Sequence, residues 1–157
     1  LKIKGRVWLI KKDNIDTDMI FHNKHLAITK IEEMGQFAFG NLKGYEDFPQ
    51  KAKEGDIIVT GENFGAGSSR QQAVDCFKAL KIGAIIAKSF GAIYERNAIN
   101  SGFPIVVSDL IDKGLKEGEM IEVDFEKGET IRENGETLKF EKWSSVQKEI
   151  YLKGGLL

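Results

Sequence analysis

A buried strand that leads through a glycine-rich turn into an amphipathic helix constrains this chain more than any other part of its sequence. The β-branched run Ile57–Thr60 precedes the string GENFGAGSSRQQ, which spans residues 61–72. Apolar side chains then recur at helical spacing as far as Leu80. Such a turn aims backbone N–H groups at one point, beside a helix N-terminus that favours negative charge. We therefore predict that Gly65 and Gly67 shape an anion-binding loop.

The same loop carries two hydroxyl groups and a cation. Ser68 and Ser69 are predicted to cap the helix, and Arg70 follows them directly. The helix dipole contributes roughly half a positive charge at this point, and the guanidinium contributes a full one. Glycines and capping serines would also make a sound turn without any chemistry, so the pattern alone leaves that interpretation open.

Three common glycine-rich motifs fit the loop poorly. A nucleotide P-loop needs a lysine and a hydroxyl residue after its last glycine, whereas Gly67 is followed by two serines. A dinucleotide-binding fingerprint would have a third glycine where Arg70 stands. A hydrolase nucleophile elbow needs Gly-x-Ser-x-Gly and a histidine partner, but here a second serine and the arginine follow, and only His22 and His25 exist.

Composition sets the expected class of protein. At 157 residues, the chain is long enough for one domain with a hydrophobic core, and its even composition gives no reason to divide it. Charged residues make up 30% and nearly cancel to a net charge of -1, so we expect no nucleic-acid partner. No apolar run approaches the ~20 residues that cross a bilayer, and no signal-peptide pattern is present. We therefore expect a cytoplasmic protein with no membrane partner.

The single cysteine limits metal chemistry. Cys76 has no second thiol in the chain to pair with, which excludes a disulfide framework. One thiol cannot hold an iron–sulfur cluster or a structural zinc ion unaided, so we predict no metal site in this chain. Its place beside Phe77 on the predicted helix favours core packing.

Strands and helices alternate over the first two thirds of the chain, and the last third favours antiparallel strands. The pair Asn134-Gly135 predicts a hairpin turn. The predicted fold class is therefore α/β with a β-rich C-terminal part. Strands are predicted at residues 4–10, 57–60, 84–87, 104–107 and 121–125. Helices are predicted at 29–40, at 68–80, at 89–102 through Ala92, Ile93 and Ile99, and from Ser144 onward.

Several residues predict where these elements begin and end. Thr29 and Glu32 form a capping-box pattern at the start of the first predicted helix. Gly83 is expected to end the second helix in a left-handed conformation. Ser89 and Ser144 are expected to cap the third helix and the last helix.

Three segments together resemble the aconitase superfamily. The string GENFGAGSSRQQA is similar to the serine loop of its small, swivelling domain. DNIDTDMI at residues 13–20 resembles its Asp-Thr-Asp loop, and AKSFGAIYERNAINSGFP at residues 87–104 resembles the segment after the serine loop. The order also agrees, and the length resembles separately encoded small subunits of isopropylmalate dehydratases and homoaconitases. The resemblance implies a single swivelling β/β/α domain over residues 1–157, like the fourth domain of aconitase.

The resemblance also implies an activity and residue roles. Family members are hydro-lyases that move a hydroxyl group between neighbouring carbons of a 2-hydroxy acid by dehydration and rehydration. Ser68 would be the catalytic base as an alkoxide, while Ser69 and Arg70 would bind a substrate carboxylate. Asp18 would help to organise the site, and a turn-forming aspartate is the less favoured alternative. A [4Fe–4S] cluster would lie in a large partner subunit, in a heterodimer or heterotetramer, and act as a Lewis acid.

The family's substrate-selecting loop corresponds to HLAIT at residues 25–29. Homoaconitases resemble Tyr-Leu-Arg-Thr there, with an arginine that pairs with a distal carboxylate of the substrate. Ala27 stands in place of that arginine, and with Leu26 and Ile28 it favours an alkyl group over an unpaired charge. The resemblance thus implies an isopropylmalate-type substrate. Homoaconitate, aconitate and dimethylmalate remain alternatives, as does a non-catalytic anion-binding module.

Overall fold

Seven strands form one mixed sheet in the computed structural model, which describes residues 1–155. The strand order across the sheet is β4-β3-β2-β1-β5-β6-β7. The elements in chain order are β1 (Lys2–Ile10), α1 (Thr17–Ile20), three 3-10 turns (Asn23–His25, Ile31–Glu33 and Gly35–Phe37), α2 (Phe48–Lys51), β2 (Ile57–Thr60), α3 (Gln72–Ala79), β3 (Ala84–Ala87), α4 (Ala92–Asn100), β4 (Ile105–Val107), β5 (Met120–Asp124), β6 (Glu129–Arg132), β7 (Thr137–Lys139) and α5 (Ser145–Leu152).

The two central strands of the parallel half of the sheet, β2 and β3, are buried on both faces. Successive residues of a strand point to opposite faces, so neighbours such as Ile57 and Ile58 enter different cores. Ile58 joins the core beneath α3, α4 and the loops after β1, while Ile57 joins the core that the chain after β4 covers. This double burial explains why β2 and β3 do not alternate polar and apolar residues.

The antiparallel half shares β1 with the parallel half. β1 pairs antiparallel with β5, and β5 to β7 continue as a meander. Gly135 has a φ of +88° at the turn between β6 and β7, which confirms the predicted hairpin. The side chain of Ser144 accepts a hydrogen bond from the Gln147 N–H at 3.1 Å, which confirms the predicted cap of α5. The α/β fold with a β-rich C-terminal part is confirmed.

The predicted helix over residues 29–40 is wrong. Two 3-10 turns occupy this stretch, and neither has a side-chain cap, so the capping box of Thr29 and Glu32 does not form. Gly35 lies against α3, where an added Cβ would be 3.0 Å from Leu80 Cδ2. This close contact and the positive φ of Phe39 (+59°) divide the segment into short turns that follow the core surface.

Two other predicted helix ends are also wrong. Lys81, with a φ of +57°, is the left-handed residue after α3. Gly83 has a different role: it allows a close approach to Gly55, because a Cβ at Gly83 would lie 2.8 Å from the Gly55 carbonyl oxygen. Ser89 does not cap α4, which has Gly91 at its N-cap. Its hydroxyl instead accepts a hydrogen bond from the Asn63 N–H at 2.8 Å.

The predicted third helix is confirmed as α4, which buries a narrow face. Tyr94 and Ala98 are buried, whereas Ala92 and Ile93 are exposed and Ile99 is partly buried. Residues 44–53, for which no helix or strand was predicted, contain the short helix α2.

Candidate active site

The serine loop, residues 61–71, connects the end of β2 to α3 and is fastened to the Asp-Thr-Asp loop after β1. The Gly65 N–H donates to the Ile15 carbonyl at 2.7 Å, and the Thr17 N–H donates to the Ala66 carbonyl at 2.9 Å. Gly65 and Gly67 have φ values of +80° and +101°, which other residues rarely adopt. The two segments that resemble the family's site therefore lie side by side.

Ser68 and Ser69 do not cap α3, contrary to the prediction. The helix begins at Gln72, and its N-cap is Gln71 without a side-chain hydrogen bond. The Thr17 hydroxyl donates to the Ser68 carbonyl oxygen at 3.1 Å. Because that oxygen would accept the first hydrogen bond of a helix starting at Ser69, this contact favours a later start.

The loop presents unpaired backbone donors. Within residues 1–155, the N–H groups of residues 67–70 donate to no protein acceptor. Gly67, Ser68 and Ser69 are exposed. Consecutive free N–H groups in a glycine-rich loop make a concavity that suits an anion. The geometry therefore agrees with an anion-binding loop, although these donors precede the helix rather than form its first turn.

Arg70 and Asp18 form the charged centre of this region. Arg70 Nη1 donates to Asp18 Oδ1 at 3.1 Å and to the Phe21 carbonyl oxygen at 2.8 Å. The arginine side chain is 11% exposed and the aspartate 40%. Among the described residues, the other guanidinium nitrogens of Arg70 have no hydrogen-bond partner. The arginine is thus held in place while keeping donors for a ligand carboxylate.

Asp18 is an organised carboxylate. Its Oδ1 also accepts from the Asn23 N–H at 2.8 Å, and its Oδ2 accepts from Asn41 Nδ2 at 3.1 Å. The Asn23 hydrogen bond and the Arg70 guanidinium hold the pKa of Asp18 below its usual value, although partial burial opposes them. The group is therefore ionised near neutral pH. Among the described residues, no hydrogen bond joins this carboxylate to Ser68.

The two serines have different surroundings. Ser69 Oγ accepts from Asn97 Nδ2 at 3.2 Å, which links the serine loop to α4. Ser68 Oγ has no hydrogen-bond partner within residues 1–155, and only its carbonyl is held, by Thr17. The Ser68 hydroxyl is therefore exposed and unpaired, in a loop that also carries free N–H groups and Arg70.

The predicted substrate loop lies next to α3. Gln72 Nε2 is 3.2 Å from the Leu26 carbonyl oxygen and 3.5 Å from that of Ile28. Leu26 and Ala27 are exposed, and Ile28 is partly buried against the core. The structure therefore brings this loop to the helix that follows Arg70.

His25 anchors the start of the substrate loop. Its ring stacks on Phe37, with the ring centroids 3.9 Å apart. Burial, followed by the charges of Lys24 and His22, lowers the pKa of His25. The imidazole is therefore neutral near pH 7 and acts here as an aromatic surface.

Four site residues were missed by the sequence analysis: Thr17, Asn41, Gln72 and Asn97. Thr17, Gln72 and Asn97 lie inside the three segments that resemble the family, so the signal was present but their contacts were not predictable. Asn41 lies in a stretch without a motif, and only the folded chain shows its contact with Asp18.

Cys76 is a core residue, as predicted. Its side chain is fully buried, and burial raises the pKa of the thiol well above its usual value. In the described part of the chain, no three histidine, cysteine or acidic side chains group as metal ligands would. Among those same residues, no helix is long and apolar enough to span a membrane.

Comparisons with known proteins agree with this geometry. Residues 1–109 match the family described as the aconitase C-terminal domain. The chain is 44% identical to the isopropylmalate/citramalate isomerase small subunit of Methanocaldococcus jannaschii, over 99% of this chain and 91% of that one. It is 42% identical to 3-isopropylmalate dehydratase small subunit 1 of Archaeoglobus fulgidus, over 98% and 93%.

Two further relatives come from M. jannaschii. Its methanogen homoaconitase small subunit is 41% identical, over 99% of this chain and 89% of that one. A crystal structure of its 3-isopropylmalate dehydratase superimposes with a TM-score of 0.89 at 41% identity, over 99% of this chain and 91% of that one. Sequence and fold lead to the same conclusion: the chain belongs to the aconitase C-terminal domain family.

Proposed function

We propose that this chain is the small subunit of a hydro-lyase that isomerises a 2-hydroxy acid to its 3-hydroxy isomer, as in leucine biosynthesis by 3-isopropylmalate dehydratase. The observation that carries the proposal is the Arg70 side chain, 11% exposed and held by Asp18 at 3.1 Å, in the same loop as the exposed Ser68. The full-length similarity to small subunits of isopropylmalate dehydratases supports it. We also propose that residues 1–157 act as one swivel domain in the cytoplasm.

The residues of this chain would bind the acid and remove a proton from carbon. The free guanidinium nitrogens of Arg70 and the hydroxyl of Ser69 would bind a substrate carboxylate. Ser68 Oγ, as an alkoxide, would accept the proton from the carbon next to the hydroxyl-bearing one. Because a serine hydroxyl is a very weak acid, its anion needs the positive potential of Arg70 and the loop N–H groups. Asp18 would orient Arg70 rather than act as the base.

The departing hydroxide needs a group that this chain does not supply. The [4Fe–4S] cluster of the family acts as a Lewis acid toward it. Cys76 is the chain's only cysteine and is fully buried, so its residues do not fit a cluster. We therefore propose that the cluster belongs to a large partner subunit, and that the exposed serine loop faces that subunit.

The substrate loop favours an alkylmalate. Ala27 carries no charge, and Leu26 and Ile28 are apolar, so a distal carboxylate would lack a partner in this loop. One relative is named an isopropylmalate/citramalate isomerase small subunit and another a homoaconitase small subunit. Isopropylmalate is therefore the first substrate to test, while homoaconitate, aconitate and dimethylmalate remain alternatives.

Reconstitution tests the proposed function. The purified chain should be inactive alone and should gain hydro-lyase activity when mixed with a large subunit that carries the cluster. Activity is measured for isopropylmalate, homoaconitate, aconitate and dimethylmalate, with the large subunit alone as control. Dehydration of isopropylmalate or dimethylmalate, or hydration of aconitate or homoaconitate, by the iron-free chain alone would contradict the proposal that activity needs both subunits. Carboxylate binding without turnover in the complex would favour a non-catalytic module.

A single substitution tests the substrate class. Ala27→Arg should lower kcat/KM for isopropylmalate and raise it for homoaconitate, because the arginine pairs with a carboxylate and makes an alkyl pocket polar. The ratio of specificity constants should change by several kcal/mol, more than the about 1 to 3 kcal/mol that one methylene gives. An unchanged ratio would remove the main support for an alkyl-bearing substrate.

A further inference from the structure

Gln72, the first residue of α3, connects the serine loop to the substrate loop (residues 25–29). Its Nε2 lies 3.2 Å from the Leu26 carbonyl oxygen and 3.5 Å from the Ile28 carbonyl oxygen. A primary amide has two N–H donors on one nitrogen, so it can satisfy both carbonyls at once. Because Gln72 follows Arg70 by two positions, one short segment carries both the carboxylate-binding group and the contact to the substrate loop.

The apex of the substrate loop has few other attachments. The N–H groups of Leu26 and Ile28 donate only to carbonyl oxygens three residues earlier in the chain, those of Asn23 and His25. Among the described residues, no side chain other than Gln72 donates a hydrogen bond to the backbone of residues 26–28. The stacking of His25 on Phe37 and the packing of Ile28 anchor the two ends of this apex rather than its middle.

We propose that Gln72 is a specificity-determining positioning residue, which holds the carbonyls of Leu26 and Ile28 so that the substrate loop keeps the shape that selects the variable group of the acid. The inference rests on the proposed function for its link to substrate choice. The hydrogen bonds from Gln72 to the substrate loop lie within this chain, so they can be tested without a partner subunit. Gln72 itself does not touch the reacting atoms in this scheme.

Two substitutions separate hydrogen bonding from simple bulk. Gln72→Met keeps the length of the side chain and removes both donors. Gln72→Glu keeps the shape but turns a carboxylate toward two carbonyl oxygens, which repels them. If the side chain only fills space, both variants resemble the wild type. If the side chain holds the loop by hydrogen bonds, the mobility of the loop increases from the wild type to Gln72→Met to Gln72→Glu.

Hydrogen exchange on the isolated chain tests the hold on the loop. The amides of Leu26 and Ile28 should exchange about tenfold faster in Gln72→Glu, with a smaller increase in Gln72→Met, because each lost hydrogen bond eases local opening. Gln71→Ala is the matched control, since the neighbouring Gln71 side chain contacts Asp75 and Ser101 instead. Unchanged exchange in a folded Gln72→Met chain would overturn the proposal.

Kinetics on the reconstituted complex tests the effect on specificity. The ratio of kcat/KM for isopropylmalate over citramalate, which carries a methyl group in place of the isopropyl group, should fall about fivefold or more in both Gln72 variants. Turnover of citramalate should stay close to that of the wild type, and Gln71→Ala should keep the wild-type ratio. Faster exchange with an unchanged ratio would overturn the link to specificity. A wild-type complex inactive on both acids would contradict isopropylmalate and citramalate as substrates, and the exchange data alone would then test whether Gln72 holds the loop.

Discussion

At the scale of single residues, the contact of Arg70 with Asp18 and its proposed binding of a carboxylate use different atoms. Nη1 is committed to Asp18 and to the Phe21 carbonyl, which fixes the direction of the guanidinium. Its remaining nitrogens stay available for a carboxylate. A lysine could not do both, because its single ammonium is a point charge without the planar fork of donors. This division explains why a nearby carboxylate need not block an anion site.

Ser68→Ala is expected to remove most turnover and leave folding and assembly intact. Its hydroxyl has no hydrogen-bond partner among the described residues, so no structural contact is lost, while the proposed base disappears. kcat should fall by about 100-fold or more with little change in KM. Steady-state kinetics of the complex measures this, with the exposed Ser145→Ala as the matched control. Near wild-type turnover would show that another group is the base.

Asp18→Asn is expected to destabilise the chain at neutral pH and less so in acid. The pKa of Asp18 is lowered on folding, so its ionised form contributes stability above its unfolded pKa, and this contribution is lost as pH falls through the folded pKa. The loss in free energy of unfolding at about pH 7 should be below about 1 kcal/mol, because the half-exposed carboxylate is screened by solvent. Urea unfolding of both proteins between about pH 7 and about pH 3 measures it. A difference that does not narrow toward acid would assign the effect to packing instead.

The sequence identified the charged residues of this region but not their pairing. Asp18 and Arg70 lie 52 residues apart, and only the folded chain shows that they bind each other. Asn41 belongs to no motif, so its hydrogen bond to Asp18 could not be predicted from the sequence either. Residue types with obvious chemistry can be predicted from a resemblance, whereas long-range hydrogen bonds depend on where the loops between elements lie.

At the scale of elements, the serine loop depends on contacts with α4 and the Asp-Thr-Asp loop. Strands β1 to β4 and the hairpin were predictable because β-branched runs and an Asn-Gly pair have strong local preferences. The stretch 29–40 was not, because close packing of Gly35 on Leu80 overrides a helical pattern. The prediction that Ser68 and Ser69 cap the helix also failed on a tertiary contact, because the pattern could not show that Thr17 binds the Ser68 carbonyl oxygen.

Gly65→Ala is expected to destabilise the chain far more than Gly114→Ala. Both glycines have a similar φ, +80° and +79°, so the cost of the left-handed backbone is shared. A Cβ at Gly65 would lie 2.2 Å from the Tyr94 ring, whereas at Gly114 nothing lies within 4 Å. We expect losses of about 3 kcal/mol and about 1 kcal/mol respectively. Urea unfolding measures both, and equal losses would mean that Tyr94 moves aside without cost.

At the scale of the whole molecule, the parallel and antiparallel halves are joined through β1 and through Trp143. The indole Nε1 of Trp143 donates to the Ile105 carbonyl oxygen in β4 at 2.8 Å. Its ring stacks on Phe125, which follows β5, with the centroids 4.2 Å apart. One side chain thus contacts both halves of the sheet. The family match ends at residue 109, so Trp143 connects the matched part of the chain to the part that follows it.

Trp143→Ala is therefore expected to lower the stability of the whole chain in one cooperative transition. The loss should be about 3 kcal/mol, because an aromatic side chain is removed, and Trp143→Phe should lose about 1 kcal/mol, because it keeps the stacking and removes only the hydrogen bond. Trp8 in β1 is the only other tryptophan, so in both variants its fluorescence reports on the strand that the two halves share. Its urea transition should coincide with that of far-UV circular dichroism and shift with it. If the circular dichroism changes first while the Trp8 signal stays at its wild-type midpoint, the halves unfold separately, and the C-terminal strands are an appendage rather than part of one cooperative unit.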